Sequence, residues 1–580
     1  MKKLIVLLTV AALLAASAFA YSNQQKIYPV DSDVYKSMET LYILAGKGLP
    51  SSAGPWSEAE LRLMLERIDR NSLSEAAGKY YDYVESKITS DPKTRFTDNL
   101  AMQFGMDADL ELYYHTDTEN TKDYNDWFHS FTDREKFLNF TFETWPTDSF
   151  YSYFEFSIAN GIGKKNDDGK NVMYQNGVTI NAPVLNNVLF LKTNNLFFGF
   201  DWTFPKRAFV AAGGDHWSIM AGRDKLSWGS GETGNLMLSD SFPAHNMIKF
   251  SAFFNAFKYS IVGTIYPFNE NVSGQFTSLD GYKSLIVHRL EFNLFENKVG
   301  LVINEACMYW SKPDQQFSLA QINPFGFMHN EYVGNNGNSL LVFEADYTPI
   351  AGVNAYAQFA MDEFQGPGEP KENPSAFGLL AGVKGAMTIG DGILNGSLEF
   401  VKTDPFLYLR GMYGNPAENN GYGFDAIYRS FIMGYAVVNS KQFITYKYGN
   451  DVILFDGKVN YEMPDLFKVG FEAMFMKHGS MSIDSPWGTY TGDDDPTPIL
   501  STPTTYNVFD ENDYDYATHT VKTVHAVEQR IILSLTGEYQ IIKGLRANLA
   551  ADFLIIKNKN NVENADSTDI QLTVGIRYSI

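Results

Sequence analysis

Strict alternation of apolar and polar residues is the feature that most constrains the fold of this chain. Every second residue from Ile570 to Ile580 is apolar, whereas the intervening residues from Gln571 to Ser579 are polar or glycine. The same period recurs in Met102 to Tyr114, Val469 to Phe475 and Leu545 to Ile555. Because side chains alternate between the two faces of a strand, this period predicts many strands with one apolar face. No apolar stretch of 18 residues follows residue 20, which excludes helical membrane spans on the sequence pattern.

The polar faces of these segments carry charges, among them Asp107, Asp109, Glu111, Arg546 and Asp552. Such charges are costly in a dry core but are tolerated in the wet lumen of a barrel. Short turns between the segments, among them Pro349–Gly352 and Gly390–Gly392, alternate with long polar stretches, as at the two ends of an outer-membrane barrel. The sequence therefore predicts an all-β transmembrane β-barrel of roughly 16–20 antiparallel strands over residues 96–580, in contact with outer-membrane lipid.

The N-terminus indicates export. Lys2 and Lys3 precede an apolar run from Leu4 to Ala16, and Ala18-Phe19-Ala20 offers a small-x-small cleavage site. This layout is typical of a secretory signal peptide over residues 1–20, since the apolar run is too short to span a membrane. We therefore expect cleavage near Ala20 and a location in the bacterial outer membrane.

Charge and cysteine content narrow the function classes. The formal net charge is −22, and removal of Lys2 and Lys3 takes it to −24. Such an acidic chain repels nucleic acid, so no nucleic-acid partner is expected. The single cysteine, Cys307, excludes an intramolecular disulfide and supplies no metal cluster. The aromatic share of 15% suits a barrel with aromatic girdles.

Residues 21–95 have a different pattern, which predicts a small periplasmic helical segment ahead of the barrel. Ser57-Glu58-Ala59-Glu60 is a capping-box pattern before a helix with Leu61, Met64, Leu65 and Ile68 on one face, and Ser72 with Glu75 resembles a second box. Val34, Met38, Leu41 and Leu44 have helical spacing ahead of Gly46 and Gly48. One interpretation is a bundle that seals the periplasmic end of the barrel.

Attachment to the cell wall through these helices is the alternative interpretation. The layout of Tyr35 to Ile68, helix, loop and helix, is similar to an S-layer-homology module. That family carries a Thr-Arg-Ala-Glu core, whereas this chain has Trp56-Ser57-Glu58-Ala59-Glu60-Leu61 there.

The most enzyme-like motif is Gly229-Ser230-Gly231-Glu232-Thr233-Gly234, which fits the dinucleotide fingerprint G-x-G-x-x-G. That fingerprint needs a following helix of real length, because the helix N-terminus meets the pyrophosphate. Residues 235–243 are too short and broken for such a helix. A glycine-rich turn that narrows or bends the barrel wall is the preferred interpretation.

Other searches for catalytic or metal-binding patterns favour a protein without enzymatic activity, cofactor or metal. The nine histidines are scattered, and neither H-E-x-x-H nor a nucleophile elbow is present. His288 lies on the apolar side of its segment, and a place in the interfacial girdle explains that position without a catalytic role. Asp493-Asp494-Asp495 is interpreted as a solvated acidic loop rather than a calcium site.

A longer stretch resembles the Wzi-type capsule assembly family, whose members carry a W-G-x-G turn followed by a leucine/serine stretch and a proline. The family-motif residues are Arg223, Asp224, Trp228, Gly229 and Gly231, followed by Asn235-Leu236-Met237-Leu238-Ser239 and Phe242-Pro243, and then by His288 and Arg289 in His288-Arg289-Leu290-Glu291-Phe292. Further similarities are Val299-Gly300-Leu301, Asn304-Glu305, Ile322-Asn323-Pro324-Phe325, Tyr356 to Phe364, and the layout of Leu41 to Ile68. The resemblance spans roughly residues 33–365.

The resemblance implies an outer-membrane barrel with a periplasmic helical bundle and a lectin-like role in holding surface polysaccharide. Sugars are recognised by aromatic faces and by carboxylate or amide groups, and two long predicted loops are rich in both. The candidate glycan-binding residues are Tyr413, Asn415, Asn419, Asn420, Tyr422, Tyr506, Tyr514 and Tyr516. A general or cation-preferring diffusion porin is the alternative function, favoured by the charged inward faces and the acidic balance. The two functions differ in the lumen, which a binder of this kind should occlude and a porin should leave open. A structural adhesin with exposed loops is a third possibility.

Overall fold

The structure is a computed structural model, and it describes the larger part of the chain after residue 24. The described residues are 25–88, 94–97, 100–117, 128, 135–165, 171–173, 184–188, 197–201, 205–267, 281–311, 323, 337–364, 375–410, 422–432, 436–483, 514–515, 520–521 and 526–580. The predicted signal peptide over residues 1–20 lies outside them. Within these ranges, none of the helices combines the length and the apolar character that crossing a membrane requires.

Eighteen antiparallel strands of the described residues form one closed barrel in chain order, so the predicted fold class is confirmed. The last strand pairs with the first, with Val574 opposite Leu112, and this pairing closes the sheet. The strands are β1 Leu100–His115, β2 Leu138–Thr147, β3 Phe150–Lys165, β4 Arg207–Gly214, β5 Trp217–Asp224, β6 His245–Phe253, β7 Phe257–Pro267, β8 Tyr282–Leu294, β9 Val299–Ser311, β10 Gly337–Ile350, β11 Val353–Glu363, β12 Ala376–Ile389, β13 Gly392–Thr403, β14 Val452–Met463, β15 Phe467–His478, β16 Glu528–Ile542, β17 Leu545–Lys557 and β18 Ser567–Ser579.

The two ends of the barrel differ in the length of their connections. At one end, here called the short-turn end, β2 and β3 are joined by residues 148–149, β10 and β11 by 351–352, and β12 and β13 by 390–391. At the opposite, long-loop end, the connections are longer, such as residues 225–244 between β5 and β6. The predicted short turns at Pro349–Gly352 and Gly390–Gly392 are confirmed, and positive φ angles at Gly352 and Gly390 show why glycine is needed there.

Shorter strands extend the wall at the long-loop end or pair beside it. Phe197–Asp201 pairs with β3, and a hairpin of Asp425–Ile432 and Ala436–Phe443 joins it through Ile432 and Asp201. The remaining short strands are Ile27–Tyr28, Trp56–Ser57, Thr94–Thr97, Asn171–Met173, Val184–Asn186, Tyr514–Asp515 and Thr520–Val521.

The N-terminal segment contains the helices α1 Asp33–Leu44, α2 Glu58–Glu66 and α3 Glu75–Ile88, together with a 3-10 turn, Arg70–Ser72. A second 3-10 turn, Lys559–Asn561, follows β17. Half of the predicted capping box before α2 is confirmed: the Ser57 hydroxyl accepts a hydrogen bond from the Glu60 amide at 3.3 Å, while the Glu60 carboxylate pairs with Lys258. The second predicted cap was wrong. Ser72 belongs to the 3-10 turn, and the hydroxyl of Ser74 accepts from the Ala77 amide at 3.3 Å instead.

The helical segment lies across the short-turn end. Its own core joins α1, α2 and α3 through Met38, Leu41, Leu61, Leu65 and Val84. Three contacts fix it to barrel turns or strand ends: the Gly352 amide donates to the Ile43 carbonyl at 2.8 Å, the Tyr80 hydroxyl donates to Glu462 at 2.9 Å, and Lys87 pairs with Asp465 at 3.0 Å.

The outward faces of the barrel strands form an apolar surface. Leu110 on β1, Leu398 on β13 and Val574 on β18 are exposed, with Leu398 70% exposed. The inward residues of the same strands, such as Asp109 and Glu399, are buried. Apolar side chains outward and polar side chains inward are what a barrel in hydrocarbon requires.

Candidate functional site: the occupied lumen

Two segments enter the lumen and meet inside it. Residues 49–57, here called the lumen strap, lead from α1 to α2, and residues 225–244, here called the lumen loop, connect β5 to β6. The Gly54 amide donates to the Ser227 carbonyl at 3.2 Å, and the Gly229 amide donates to the Ser52 carbonyl at 3.4 Å. The indole N–H of Trp228 donates to the Gly54 carbonyl at 3.0 Å. The strap and the loop therefore form one hydrogen-bonded plug.

The lumen loop has an apolar core of its own. Leu226, Trp228, Leu236, Met237, Leu238 and Phe242 are all buried in the main hydrophobic cluster of the protein. The Trp228 amide donates to the Leu238 carbonyl at 3.0 Å, and the Leu236 amide donates to the Gln358 side chain at 2.9 Å. Trp228 thus folds the loop back on itself, and Gln358 fixes it to β11.

The glycine-rich motif belongs to this loop, so the prediction of a turn in the barrel wall was wrong. The Gly231 amide donates to the Asn235 side chain at 2.9 Å inside the lumen. A Cβ atom on Gly231 would lie 2.0 Å from the Gly234 carbonyl oxygen. The glycines are needed because the loop doubles back on itself in a confined space.

Arg289 fixes the strap to the wall. It projects inward from β8 and is fully buried. Its guanidinium donates to Glu291 at 2.7 Å, to Asn304 at 2.9 Å and to both carboxylate oxygens of Glu344, and it reaches the Ser52 hydroxyl on the strap. A planar guanidinium with five donors suits this set of acceptors, which a lysine could not satisfy in the same way.

Lys258 on β7 makes a second connection between wall and plug. Its ammonium forms an ion pair with Glu60 of α2, and it donates to the Ser51 hydroxyl at 2.8 Å and the Ala53 carbonyl at 3.2 Å. Lys249 on β6 donates to the Pro55 carbonyl at 2.7 Å. Both lysines thus satisfy backbone oxygens of the strap that have no place in a sheet or helix.

A third cluster joins α1, the lumen loop and β12. Glu232 pairs with Lys36 at 2.6 Å and with Lys384 at 2.8 Å, and Lys384 also pairs with Glu39 at 2.6 Å. Burial alone would raise the pKa of Glu232, but the ammonium groups of Lys36 and Lys384 lower this pKa well below its usual range. The carboxylate is therefore ionised at neutral pH and holds the loop against α1.

The remaining family-motif residues are divided between the lumen and the outer face. Asp224 is buried inside, where it pairs with Arg207 and accepts from the Lys225 amide at 2.8 Å. Arg223 points outward, with its guanidinium 5.3 Å from the ring centre of Tyr428. His288 lies on the outward face of β8 as predicted, but it is buried, and its Nδ1 lies 2.9 Å from the Tyr259 hydroxyl.

The structure therefore brings Trp228, Gly229 and Arg289 together around the strap, while Arg223 and His288 lie elsewhere. Sequence reasoning did not identify the strap or the lysines that bind it. One signal was present, because residues 225–244 include Trp228, Leu236-Met237-Leu238 and Phe242, large apolar side chains that a solvated loop does not need.

Most of the predicted glycan-binding residues cannot be placed. Tyr413, Asn415, Asn419, Asn420, Tyr506 and Tyr516 lie outside the described residues, as does Asp493-Asp494-Asp495. Tyr514 is described only as part of a two-residue strand. Tyr422 is 8% exposed at the start of the segment that leads into the Asp425–Ile432 strand. In the part of the chain that the structure describes, no group of three or more potential ligands could hold a metal ion.

A cavity of about 320 Å³ lies between α1, the strap and the lumen loop. Its lining includes Tyr35 and Trp56, which stack with ring centres 3.8 Å apart. Lys36, Glu232 and Lys384 of the charged cluster form another part of the lining.

Comparison with known proteins supports the fold. No family model matches the sequence, and no curated protein matches it either. Wzi of Escherichia coli, a carbohydrate-binding β-barrel involved in group 1 capsule assembly, aligns with a TM-score of 0.54 at 12% identity over 95% of this chain and 98% of that chain. OprD of Pseudomonas aeruginosa aligns with a TM-score of 0.35 at 9% identity, over 83% of this chain and 95% of that chain. The channel DcaP of Acinetobacter baumannii aligns with a TM-score of 0.33 at 7% identity, over 84% of this chain and 100% of that chain. The resemblance to Wzi-type barrels is thereby confirmed at the level of the fold.

Proposed function

We propose that this protein is a closed barrel of the bacterial outer membrane that binds or organises surface polysaccharide and has no enzymatic role. The observation that carries the proposal is the plug of lumen strap and lumen loop, tied to the wall by Arg289, Lys258 and Lys384. A diffusion porin needs a continuous aqueous path, and the plug occupies part of the lumen through which that path would run. The carbohydrate binding described for Wzi supports the polysaccharide as the partner.

The placement in the membrane follows from the surface of the barrel. Its outward apolar side chains suit hydrocarbon, and short turns at one end with long loops at the other are typical of periplasmic and external ends respectively. The helical segment of residues 21–95 would then face the periplasm, where its free surface could meet the cell wall. In this arrangement the long loops face the exterior and carry the polysaccharide site.

Recognition of the polysaccharide is assigned to the two long loops with Tyr413, Asn415, Tyr506 and Tyr516 among their residues. Aromatic rings bury sugar C–H groups, and amides bind hydroxyls. A site on external loops requires no passage through the barrel, which is consistent with an occupied lumen.

Two measurements on the intact mature chain test the proposal. In planar bilayers we expect no steady conductance, and on an array of purified bacterial surface polysaccharides we expect retention of at least one polymer. The variant Tyr413→Ala with Asn415→Ala should weaken retention, whereas Asn564→Ala in another long loop should not. Steady cation-selective openings of the intact chain would overturn the closed-barrel proposal in favour of a porin, and silence without retention of any polymer would overturn the binding role.

A further inference from the structure

The cavity between α1 and the lumen loop has the features of a ligand site. Its volume of about 320 Å³ lies at the lower end of the range of roughly 300–1,000 Å³ for small-molecule pockets. Asp31, Asp33 and Lys36 on its rim are exposed, so a ligand can enter from solvent. A smaller void that shares the strap residues Ser51 and Ser52 adjoins it.

One wall of the cavity combines an aromatic surface with an unused hydrogen-bond donor. Trp56 stacks on Tyr35 with the two rings inclined by 13°. The Trp56 side chain is 2% exposed, and its indole N–H has no hydrogen-bond partner in the described part of the chain. A buried donor without a partner costs about 1–3 kcal/mol, so a shift of the ring that let this N–H meet a ligand oxygen would relieve that penalty. The Ser32 hydroxyl, also in the lining, is likewise without a partner among the described residues.

The charges of the lining select among ligands. Five carboxylates, Asp31, Asp33, Glu39, Glu232 and Asp240, face only two ammonium groups, Lys36 and Lys384. Glu39 and Glu232 are neutralised by those lysines, and Asp31 lies 3.8 Å from Arg207 and 3.6 Å from Lys225. Asp33 and Asp240 have no ion pair among the described residues. The cavity therefore repels anions and accepts neutral or cationic groups.

We propose that this cavity is a binding site for a short neutral or amino-sugar unit of a saccharide, separate from the external loops. Trp56 and Ser32 supply hydrogen bonds to hydroxyls, the Tyr35–Trp56 pair supplies apolar surface, and Asp33 and Asp240 exclude acidic sugars. The proposal rests on the proposed polysaccharide function and deepens it by naming the sugar class and a second site inside the barrel.

Titration calorimetry of the full chain in a detergent without a sugar headgroup tests the site. The probes are N,N′-diacetylchitobiose, chitobiose and digalacturonate. We expect the first two to bind and digalacturonate to bind at least about fivefold more weakly, since one repulsive charge at about 4 Å in water is worth about 1 kcal/mol. Ser230→Trp should fill the cavity and abolish binding. Trp56→Phe should weaken it about five- to tenfold by removing one donor, and it serves as the second variant where Ser230→Trp does not fold.

A double variant and a matched control test the preference of the cavity for neutral over acidic sugars. Asp33→Asn with Asp240→Asn should raise digalacturonate affinity several-fold, whereas Asp391→Asn on an exposed short turn should leave it unchanged. Failure of both chitobiose probes to bind, or binding that is unaltered in Ser230→Trp and Trp56→Phe, would overturn the site. Retention of long polysaccharide by Ser230→Trp would show that the loop function survives loss of the cavity. Disaccharide binding without retention of any polymer would overturn the loop function alone.

Discussion

Replacing Lys258 with methionine should loosen the helical segment from the barrel. Lys258 and its partner Glu60 are only 3% and 2% exposed, and the same ammonium also binds the Ser51 hydroxyl and the Ala53 carbonyl. Removing one member of a buried pair leaves the other charge without compensation, at a cost of about 3–5 kcal/mol. Methionine keeps most of the length and apolar volume of the side chain, so the loss falls on the charge and its hydrogen bonds.

Hydrogen exchange of the α2 amides, followed by mass spectrometry on protein in micelles, measures this loss. Local undocking exposes these amides, and their exchange rate follows the population of the undocked state. Because each 1.4 kcal/mol is a factor of ten, a loss of about 3–5 kcal/mol corresponds to roughly 100- to 4,000-fold faster exchange.

The double variant Lys258→Met with Glu60→Met isolates the pair. Replacing both charges by apolar groups is often neutral, so exchange should return most of the way to the parent rate. Lys79→Met, which removes an exposed pair with Glu75 on α3, is the matched control and should change exchange by less than about fivefold. If the two single effects simply add in the double variant, or if Lys258→Met matches the control, the Lys258–Glu60 pair does not hold the helical segment to the barrel.

Three further outcomes follow from the plug and the outer surface. The pKa of Glu232 is lowered in the folded protein, so its ion pairs contribute fully above the ordinary carboxyl value of 4.5 and are lost as the pH falls below it. The protection of α1 amides, after correction for the intrinsic pH dependence of exchange, should therefore decrease below about pH 4, and Glu232→Gln should abolish that decrease. Gly231→Ala should cost about 1–3 kcal/mol and reduce the heat-modifiable folded band on gels, because the added carbon meets a backbone oxygen, whereas Gly537→Ala, with open space around it, should not. Leu398→Arg, in the middle of β13, should destabilise the refolded barrel in lipid vesicles by about 2–4 kcal/mol, and Ile389→Arg beside a short turn by about 0–1 kcal/mol in the same urea titration.

The barrel was predictable because the sequence of each strand is determined by lipid on one face and the lumen on the other, whichever strand it pairs with. A lipid-facing position such as Leu110 or Val574 must be apolar whatever its partner is, so alternation survives in the sequence without knowledge of the pairing. Two short turns were missed: residues 215–216, although Gly213-Gly214-Asp215 is a local turn signal, and residues 254–256, where Asn255 is the turn-forming residue.

The plug was not predictable in the same way, because its contacts join residues far apart in the chain. Ser52 meets Gly229, and Glu60 meets Lys258, nearly 200 residues further on. The local sequence around each inward lysine predicts only a charge that is exposed to water in the lumen. Only the closed barrel, which brings β7, β8 and β12 around the strap, shows that these charges are paired and buried.

The composition of the lumen loop nevertheless indicates its position. An external loop gains nothing from an apolar core, whereas residues 225–244 place Leu226, Trp228, Leu238 and Phe242 within one connection between two short strands. Burying side chains of that size contributes about 1.5–3 kcal/mol each, and in a barrel whose outer face is already apolar the free place to bury them is the lumen. An apolar connection at the long-loop end is therefore a sequence signal for an inserted plug. Polar substitution at Trp228 should separate the loop from the strap before it affects the wall, and selective acceleration of hydrogen exchange in residues 225–244, with β5 and β6 unchanged, would distinguish this from general unfolding.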